Sequence, residues 1–363
     1  MSDLPLVVVA MSGGVDSSVA AALLVEQGYR VIGMMLRLWN EPGRDNENRC
    51  CTPDAMNQAR RVAAQIGIPF YALDARDLFR EKVVQAFLDG YSSGLTPNPC
   101  VVCNYFVKWG YLFDQAIAAG AELLATGHYA RLNKNENGLV ELKRAHDLYK
   151  DQTYFLSVLD QQRLKHTLFP LGEFTKAEVR ELARKFKLEV AEKTDSQDLC
   201  FLGNQDYRQF LVRYLPSAVK PGSIIDMRGE IVGSHQGLPF YTIGQRKGIE
   251  IASQKPLYVL QKDEEKNVLV VGPEDELGSF ELCASNMNWI AGQPPIDSLQ
   301  VQAKIRYRAK LTPATIFQLA DNRVRVVFDE KMRDITPGQV VVLYNNDIVL
   351  GGGLITKLFY RGS

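Results

Sequence analysis

The sequence predicts a chain of mixed α/β and β class: a doubly wound parallel-sheet domain at the N-terminus, a small central domain and a C-terminal β-barrel. In the first third of the 363 residues, short apolar runs alternate with stretches of helical spacing, which is typical of a parallel sheet covered by helices on both faces. Beyond about residue 280, short alternating strands follow one another, which is typical of an all-β barrel. We therefore place the domains at residues 1–205, 206–278 and 279–363.

The first domain contains apolar runs that are short and nearly continuous, as expected of strands buried on both faces. These predicted strands cover residues 6–11, 31–36, 69–74 and 122–127. Predicted helices cover residues 19–28, 54–67, 76–91, 105–120 and 175–188. Thr175 and Glu178 stand at the start of the last helix with the spacing of a capping box, which predicts where that helix begins.

Glycine and turn residues become frequent from about residue 220, and this change marks the central domain. Predicted strands of the last domain cover residues 301–311, 314–320, 322–329, 339–345 and 348–355. In the first of these, every second residue is a cation: Lys304, Arg306, Arg308 and Lys310. Because side chains alternate between the two faces of a strand, we expect these cations to form one basic face. Such a face suits contacts with nucleic-acid phosphates, although a solvated strand surface would show the same pattern.

Composition excludes several classes of protein. Hydrophobic residues make up 46% of the chain, and 42 Lys and Arg balance 42 Asp and Glu, so an intrinsically disordered chain is not expected. No apolar stretch is long enough for a membrane-spanning helix, and the N-terminus lacks the basic region of a secretory signal. Six cysteines are too few for a disulfide scaffold of this size. These observations predict a cytoplasmic protein with no membrane partner, in which any nucleic-acid face is basic only locally.

The most informative motif is the string SGGVDSS at residues 12–18, between a predicted strand and a predicted helix. Two glycines permit close approach of a ligand, and backbone N–H groups at the start of a helix can hold phosphates. Asp16 is a candidate ligand for Mg²⁺, which prefers carboxylate and phosphate oxygens. The string is neither a Walker A loop nor a GxGxxG pattern. A serine-capped turn without a ligand is the alternative interpretation.

Cysteines form the second group of candidate functional residues. Cys100 and Cys103 form a CxxC pair, and Cys200 lies in the string DSQDLCF. A CxxC pair occurs in redox, zinc and iron–sulfur sites, and buried inert cysteines are also common. Cys103 follows a stiff Pro-Asn-Pro loop at a predicted helix start, where a lowered thiol pKa would make it a usable nucleophile, with Lys108 about one turn further on. No role is assigned to the remaining cysteines, Cys50, Cys51 and Cys283.

Two levels of family resemblance emerge from these motifs. SGGVDSS alone resembles the loop of the ATP pyrophosphatases, which cleave ATP to AMP and pyrophosphate. The whole set of motifs resembles the tRNA-specific 2-thiouridylases. In order along the chain, these motifs are SGGVDSS, TPNPCVVCN, TGHYAR, KDQTYFL, DSQDLCF, GQRKG and a final β-domain with TPGQ and GGG. This resemblance covers essentially the whole chain. It implies that ATP adenylates O2 of the wobble uridine (position 34) of tRNA, that sulfur replaces the activated oxygen, and that AMP and pyrophosphate are released.

The resemblance also implies roles for individual residues. Cys103 matches the nucleophile, and Cys200 matches the cysteine that receives a persulfide from a sulfur-carrier protein or a cysteine desulfurase. ATP would be bound by Ala10, Met11, Ser12, Gly13, Gly14, Val15, Asp16 and Ser17, with Leu36 and Gly127 on the adenine side. The target base would lie against Asn98, Pro99 and Cys100, and further tRNA contacts match His128, Lys150, Asp151, Gln152, Arg306, Tyr307 and Gln339.

One position departs from the family pattern, since many members carry Asp where this chain has Cys100. Together with Cys103 and Cys200, this residue could hold an iron–sulfur cluster whose open iron position carries the sulfide. In the alternative route, a persulfide on Cys200 attacks the adenylated carbon, and Cys103 then releases the product and leaves a disulfide. The sequence leaves both routes open.

Two other functions compete with a thiouridylase. A small-molecule ATP pyrophosphatase, such as an amidotransferase-type synthetase, would share the loop but needs neither paired cysteines nor a basic β-domain. A non-catalytic RNA-binding or thiol–metal module would retain the loop as a relic. Pyrophosphate release that depends on tRNA excludes the first alternative, and measurable ATP turnover excludes the second.

Overall fold

The computed structural model describes residues 4–43, 52–194, 199–203, 205–295 and 298–356. Its first sheet contains five strands, and every pairing within it is parallel. From edge to edge the order is β3 (Phe70–Asp74), β2 (Arg30–Arg37), β1 (Leu6–Ala10), β4 (Leu123–Thr126) and the short strand Thr167–Leu168. The predicted N-terminal parallel sheet is therefore confirmed.

Helices cover both faces of this sheet. Alternate residues of β1 point to opposite sides, so that Val7 and Val9 pack in one apolar cluster and Val8 packs in another. The first cluster receives buried residues from the helices α1 (Val15–Glu26), α2 (Pro53–Gln65) and Lys176–Lys185. The second receives them from the helical segments between β3 and β4. The doubly wound arrangement is confirmed.

Two helical segments between β3 and β4 each contain a π-helical stretch. The first runs through Arg76–Phe79, Arg80–Val84 and Gln85–Ser92, and the second through Pro99–Cys103, Asn104–Leu112 and Phe113–Ala118; the middle part of each is π-helical. Irregular helical stretches of this kind are frequent at functional sites. The second segment places the cysteine pair within its first two turns.

The start of this second segment differs from the prediction. The helix begins at Pro99 rather than at residue 105, because Asn98 acts as its N-cap and accepts a hydrogen bond from the backbone N–H of Val101 at 3.3 Å. Cys103 therefore lies in the second helical turn, and the prediction that it stands at a helix start is wrong. The helix-terminal field falls off within the first turn, which here holds Cys100.

The helix Lys176–Lys185 begins where the capping-box pattern predicts. The backbone N–H of Thr175 donates to Glu178 Oε2 at 2.7 Å, and the backbone N–H of Glu178 donates to Thr175 Oγ1 at 3.3 Å. Both donors at the helix start are thus satisfied. The remaining short helices are Thr153–Leu156, Gln161–Leu164, Tyr207–Tyr214, Leu238–Phe240 and Glu274–Glu276.

The central part of the chain forms a separate four-stranded sheet. Its order is Tyr258–Asp263, Val268–Gly272, Gly222–Ile225 and Ile231–His235. The middle pairing is parallel and the outer two are antiparallel. This sheet agrees with the predicted small domain between the other two.

The last part of the chain forms an antiparallel barrel. Its strands follow the order Ser279–Trp289, Arg323–Met332, Thr312–Leu319, Ser298–Lys304, Val340–Asn345 and Ile348–Ile355. The last of these pairs with the first, which closes the barrel and removes its exposed edges. The predicted C-terminal β-barrel is confirmed.

A β-hairpin that the sequence analysis did not predict extends the barrel sheet. Its strands, Arg131–Lys134 and Val140–Lys143, belong to the N-terminal half of the chain but pair with the last barrel strand through Lys143 and Ile348. Polar residues make up five of the eight positions of these strands, so they lack the apolar runs by which the other strands of this half are recognised. The hairpin ties the N-terminal domain to the barrel.

The predicted basic strand face is wrong. The strand Ser298–Lys304 ends at Lys304, so the following cations Arg306, Arg308 and Lys310 do not share its alternation. Lys304 is itself buried, and Arg306 donates hydrogen bonds to the carbonyl O of Ile243 at 3.1 Å and to Thr336 Oγ1. Arg306 thus joins the barrel to the central domain instead of standing on an open surface.

Among the residues that the structure describes, no helix is both long and apolar enough to cross a lipid bilayer.

Candidate active site

The phosphate loop lies at a topological switch point of the parallel sheet. β1 pairs with β2 on one side and with β4 on the other. The chain therefore leaves β1 towards one edge of the sheet and leaves β4 towards the opposite edge. In open α/β sheets, ligands bind outside the carboxyl ends of the strands at such a point. The string SGGVDSS directly follows β1, and its last residues already belong to α1. The fold therefore places this loop where a ligand is expected.

The loop is held by its own serine side chains. The backbone N–H of Ser12 donates to Ser17 Oγ at 3.1 Å, and Ser18 Oγ donates to the carbonyl O of Gly14 at 2.8 Å. α1 begins at Val15 with Gly14 at its N-cap position, so its first N–H groups lack intrahelical partners and face the loop. This arrangement is suited to an anion such as a phosphate.

β4 delivers a backbone segment that packs on the loop. A Cβ atom on Gly127 would lie 2.7 Å from the backbone N of Ser17, so only glycine permits this approach. The structure thus brings Gly127 to the start of α1, as the family resemblance implies. Leu36, the other residue assigned to the adenine side, is buried in β2 on the face that carries Val8.

Two lysines that the sequence analysis missed also reach the loop. Lys176 Nζ donates to Asp16 Oδ1 at 2.7 Å, and its side chain is only 13% exposed. Lys193 Nζ donates to the carbonyl O of Gly13 at 2.9 Å and to Gln58 Oε1 at 2.7 Å. Both follow the loop by more than 150 residues, so no local motif could have identified them. They place two positive charges beside the loop.

Asp16 is held by protein groups. Its Oδ1 accepts hydrogen bonds from Lys176 and from the hydroxyl of Tyr129 at 2.9 Å. Carboxylate oxygens suit Mg²⁺. An ion shared with the ATP phosphates would have to displace Lys176 from Asp16 or bind to the carboxylate beside it. No group of three or more His, Cys, Asp or Glu side chains is placed to hold a metal ion among the residues described. Within the described residues, Asp16 is therefore a candidate to hold Mg²⁺ together with the ATP phosphates.

His128 follows Gly127 and connects the loop to the cysteine helix. Its Nδ1 lies 2.7 Å from Thr126 Oγ1, and its Nε2 lies 3.2 Å from Nζ of Lys108 in the π-helical stretch. Burial lowers the pKa of His128 well below its usual range, and the neighbouring ammonium of Lys108 adds to the shift. A neutral imidazole accepts from the ammonium at Nε2 and donates from Nδ1 to Thr126. The ring thus fixes the position of the Lys108 charge.

The low pKa of His128 predicts a dependence of stability on pH. The imidazole gains a proton in the unfolded chain near pH 6.5 but resists protonation in the fold, so acid favours unfolding. We expect the stability advantage of the wild type over His128→Gln to fall by up to about 1.4 kcal/mol per pH unit below about pH 6.5. Urea unfolding between pH 8 and pH 5 measures this difference. An advantage that stays constant over this range would contradict this prediction.

Cys103 and Cys200 lie in segments that both pack on the helical segment preceding the helix Pro99–Cys103. The helix Pro99–Cys103 contacts the preceding segment at Arg80–Val84 and Gln85–Ser92. Phe201, the residue after Cys200, packs against Phe87 of that segment with ring centroids 5.2 Å apart, and against Phe79 at 6.0 Å. Cys103 and Cys200 both pack at the edge of the same apolar cluster. The strings assigned to the nucleophile and to the persulfide thus share a supporting element.

The three candidate cysteines differ in exposure. Cys100 is exposed, whereas Cys103 and Cys200 are half-buried. Among the described residues, no group of three or more His, Cys, Asp or Glu side chains is placed to hold a metal ion. The iron–sulfur cluster therefore stays a prediction from the sequence. Cys50 and Cys51 lie outside the described residues.

Several residues assigned to tRNA contacts are engaged inside the protein. Asp151 is buried and accepts from the backbone N–H of Ala145 at 3.1 Å, and Gln152 Oε1 accepts from the backbone N–H of Tyr129 at 2.9 Å. Lys150 is half-buried next to Tyr149, which is 98% exposed. In the barrel, the ring of Tyr307 packs on Phe155 with centroids 4.5 Å apart. The structure therefore gathers the strings KDQTYFL and TGHYAR and the residues Arg306 and Tyr307 into one connected layer.

The parallel sheet, its phosphate loop and the two cations beside it define the class of this chain: a nucleotide-binding α/β protein that carries two additional β domains. Family models match the three parts in order. They are a tRNA methyl transferase HUP domain over residues 6–204, a tRNA methyl transferase PRC-barrel domain over residues 208–273 and an aminomethyltransferase β-barrel domain over residues 279–355.

Full-length relatives narrow this class to one family. A protein of Pelotomaculum thermopropionicum is 46% identical over 98% of this chain and 99% of its own length. Proteins of Moorella thermoacetica and Clostridioides difficile are 48% and 45% identical over 96% and 97% of this chain, and over 99% and 98% of their own lengths. All three bear the name tRNA-specific 2-thiouridylase MnmA. The chain belongs to the family of tRNA-specific 2-thiouridylases, as the order of its motifs implies.

Proposed function

We propose that this chain catalyses ATP-dependent 2-thiolation of the wobble uridine, position 34, of tRNA. One observation carries the proposal: a continuous chain of contacts links the phosphate loop to the helix of the proposed nucleophile. Gly127 packs on Ser17 of the loop, His128 follows Gly127, and Lys108, which bonds to His128, lies in the helical segment that carries Cys103. Activation of a base by ATP and attack by a thiol can therefore take place at one site.

The first step is adenylation. O2 of the uridine attacks the α-phosphorus of ATP, pyrophosphate leaves, and the base oxygen is linked to AMP. The N–H groups at the start of α1, together with Lys176 and Lys193, are suited to neutralise the charge on the departing pyrophosphate. Mg²⁺ shared with ATP would supply further charge neutralisation, with Asp16 as the side chain that holds it.

The second step transfers sulfur. The terminal sulfur of a persulfide on Cys200 attacks C2 of the adenylated uridine, and AMP leaves with the former base oxygen. The thiolate of Cys103 then attacks Sγ of Cys200, which breaks the S–S bond and leaves the terminal sulfur on the base as a thiocarbonyl. A Cys103–Cys200 disulfide results, and a thiol reductant must supply two electrons to restore the enzyme.

We favour the persulfide route over a cluster because it needs fewer cysteines. A cluster would need Cys100, Cys103 and Cys200 as joint ligands, whereas the persulfide route needs only the last two to meet. Sulfur would come from a sulfur-carrier protein or a cysteine desulfurase, and the reaction would take place in the cytoplasm. These partners and this location are part of the proposal and rest on the family.

The family models and the relatives differ in the reaction that they name. Two of the models carry a methyl transferase description, whereas the full-length relatives carry the name 2-thiouridylase. We follow the relatives because their match spans all three domains at 46–48% identity. The same full-length match argues against a small-molecule ATP pyrophosphatase, for which the two β domains would have no use.

Mass analysis of tRNA nucleosides tests the proposal. Incubation of the purified protein with tRNA, ATP, Mg²⁺ and a persulfide source is expected to produce 2-thiouridine, with release of AMP and pyrophosphate only when tRNA is present. Iron content is determined on the same preparation, and an iron-free enzyme with full activity is expected. Nucleotide cleavage that proceeds equally without tRNA would favour the small-molecule alternative, and activity that rises with bound iron would favour the cluster.

A further inference from the structure

The C-terminal barrel contacts the loop that precedes the cysteine helix. The turn at residues 336–339, with the sequence TPGQ, lies against the loop at residues 95–98, which enters the helix Pro99–Cys103. We call this pairing of turn and loop the barrel clamp. More than 230 residues separate its two halves in the sequence, so the contact depends on the docking of the barrel.

Gln339 is the centre of the barrel clamp. Its Nε2 donates to the carbonyl O of Thr96 at 2.8 Å and lies 3.4 Å from the carbonyl O of Pro97. Its Oε1 accepts from Nδ2 of Asn98 at 3.4 Å. The side-chain amide therefore uses both its donor and its acceptor on three successive residues of the loop.

The backbone reinforces the same contact. The backbone N–H of Thr96 donates to the carbonyl O of Pro337 at 2.9 Å. Gly338 adopts a φ of +91°, and a Cβ atom there would lie 2.9 Å from both the backbone N of Thr96 and the Cβ of Leu95. A side chain at this position would be strained and would push the loop away. The turn and the loop are thus in close van der Waals contact.

The contact reaches the cysteine helix through Asn98. The Oδ1 of Asn98 caps this helix by accepting from the N–H of Val101, while its Nδ2 donates to Gln339. Tyr154 supports the barrel side of this contact, because its hydroxyl donates to the carbonyl O of Val340, the residue after Gln339, at 2.9 Å. The barrel therefore determines the orientation of the residue that sets the start of the helix carrying Cys100 and Cys103.

We propose that Gln339 is a positioning residue: it holds the loop at residues 96–98, and through Asn98 it sets the geometry of the helix that carries the nucleophile Cys103. This inference rests on the proposed function and gives Gln339 a role inside the protein, beside the direct contact with tRNA that the family resemblance implies. The barrel then contributes to sulfur transfer itself, because the loop depends on it for its geometry.

Gln339→Met tests this role, because Met has a similar length and cannot form the three hydrogen bonds. The net contribution of the lost hydrogen bonds is about 1–1.5 kcal/mol, which corresponds to roughly tenfold in rate. We therefore expect the kcat for thiolation to fall about tenfold. The Kd for tRNA is expected to change by less than the tenfold loss in kcat, because the other assigned tRNA contacts at His128, Lys150 and Tyr307 lie outside this loop. Amide hydrogen exchange at residues 95–101, measured without ATP and tRNA, is expected to become about tenfold faster.

The matched control is Gln300→Met, a change at an exposed glutamine of the same barrel, for which rate, affinity and exchange are expected to equal those of the wild type. A tenfold weaker tRNA affinity with unchanged kcat and unchanged exchange would overturn the proposal and identify Gln339 as a tRNA contact. If Gln339→Met does not fold, Gln339→Glu decides by the same measurements, because it retains only the acceptor for Asn98.

The exchange measurement also distinguishes a failure of the barrel clamp from a failure of the proposed thiolation activity. The N–H of Thr96 is expected to be protected in the wild type because it donates to Pro337, and rapid exchange there would refute the barrel clamp without any variant. A wild type that protects this amide but forms no 2-thiouridine would refute the proposed function and leave the clamp standing.

Discussion

Replacing Cys200 by Ser is expected to abolish thiolation of tRNA while leaving its affinity for tRNA close to that of the wild type. A serine hydroxyl cannot carry a persulfide, whereas the phosphate loop and the barrel do not depend on this side chain. Thiolation falls below detection in a nucleoside assay. Pyrophosphate release in the presence of tRNA persists for the first turnover, whereas AMP stays linked to the base because no sulfur displaces it. The expected loss exceeds that of every other single substitution considered for this chain.

Cys283→Ser serves as the matched control, because Cys283 lies in the barrel strand Ser279–Trp289 and has no part in the proposed chemistry. Wild-type thiolation is expected from this variant. Thiolation retained by Cys200→Ser would remove the persulfide assignment. A parallel loss of tRNA affinity would instead indicate that the substitution disturbs the neighbouring Phe201, which packs on Phe79 and Phe87.

Replacing Lys193 by Met is expected to raise the KM for ATP by roughly 10- to 100-fold. Hydrogen bonds to charged groups contribute about 1.5–3 kcal/mol, and this range corresponds to that change in affinity. In the described structure Lys193 Nζ bonds to the carbonyl O of Gly13 and to Gln58, so the loop also loses a fixed support. Steady-state pyrophosphate release at saturating tRNA measures the effect.

Lys185→Met provides the control for the second prediction. Lys185 lies at the end of the helix Lys176–Lys185, is 60% exposed and pairs with Glu26 on the surface. Exposed pairs contribute little, so this change is expected to leave the KM for ATP unaltered. An unchanged KM in Lys193→Met as well would show that Lys193 takes no part in ATP binding.

Local signals in the sequence predicted local structure well. The capping box at Thr175 and Glu178 correctly marked a helix start, since both hydrogen bonds form within four residues of chain. The string SGGVDSS correctly predicted a turn between strand and helix, because glycine conformation and serine hydroxyls act on their immediate neighbours. Apolar periodicity likewise revealed the parallel sheet and the barrel.

Contacts between distant segments could not be predicted from local sequence patterns. Lys176 and Lys193 reach the loop only because the sheet brings their segments next to it, and no spacing rule connects them to residues 12–18. Arg306 alternated with other cations in the sequence, yet tertiary contacts with Ile243 and Thr336 took it out of the strand. The start of the cysteine helix was misplaced because Pro99 was taken as part of a loop, although proline is favoured in the first turn of a helix.

The hairpin formed by Arg131–Lys134 and Val140–Lys143 bears on how such proteins can be recombined. It comes from the first half of the chain, yet Arg144 donates its backbone N–H to Asp347 at 2.8 Å, and Arg131 pairs with the carboxylate of Asp347 at 2.9 Å. A chimera joined near residue 205 would therefore match the hairpin of one parent with the barrel of another. Parent proteins for such exchanges are best selected by how well the hairpin of one fits the last barrel strand of the other, rather than by similarity within either domain.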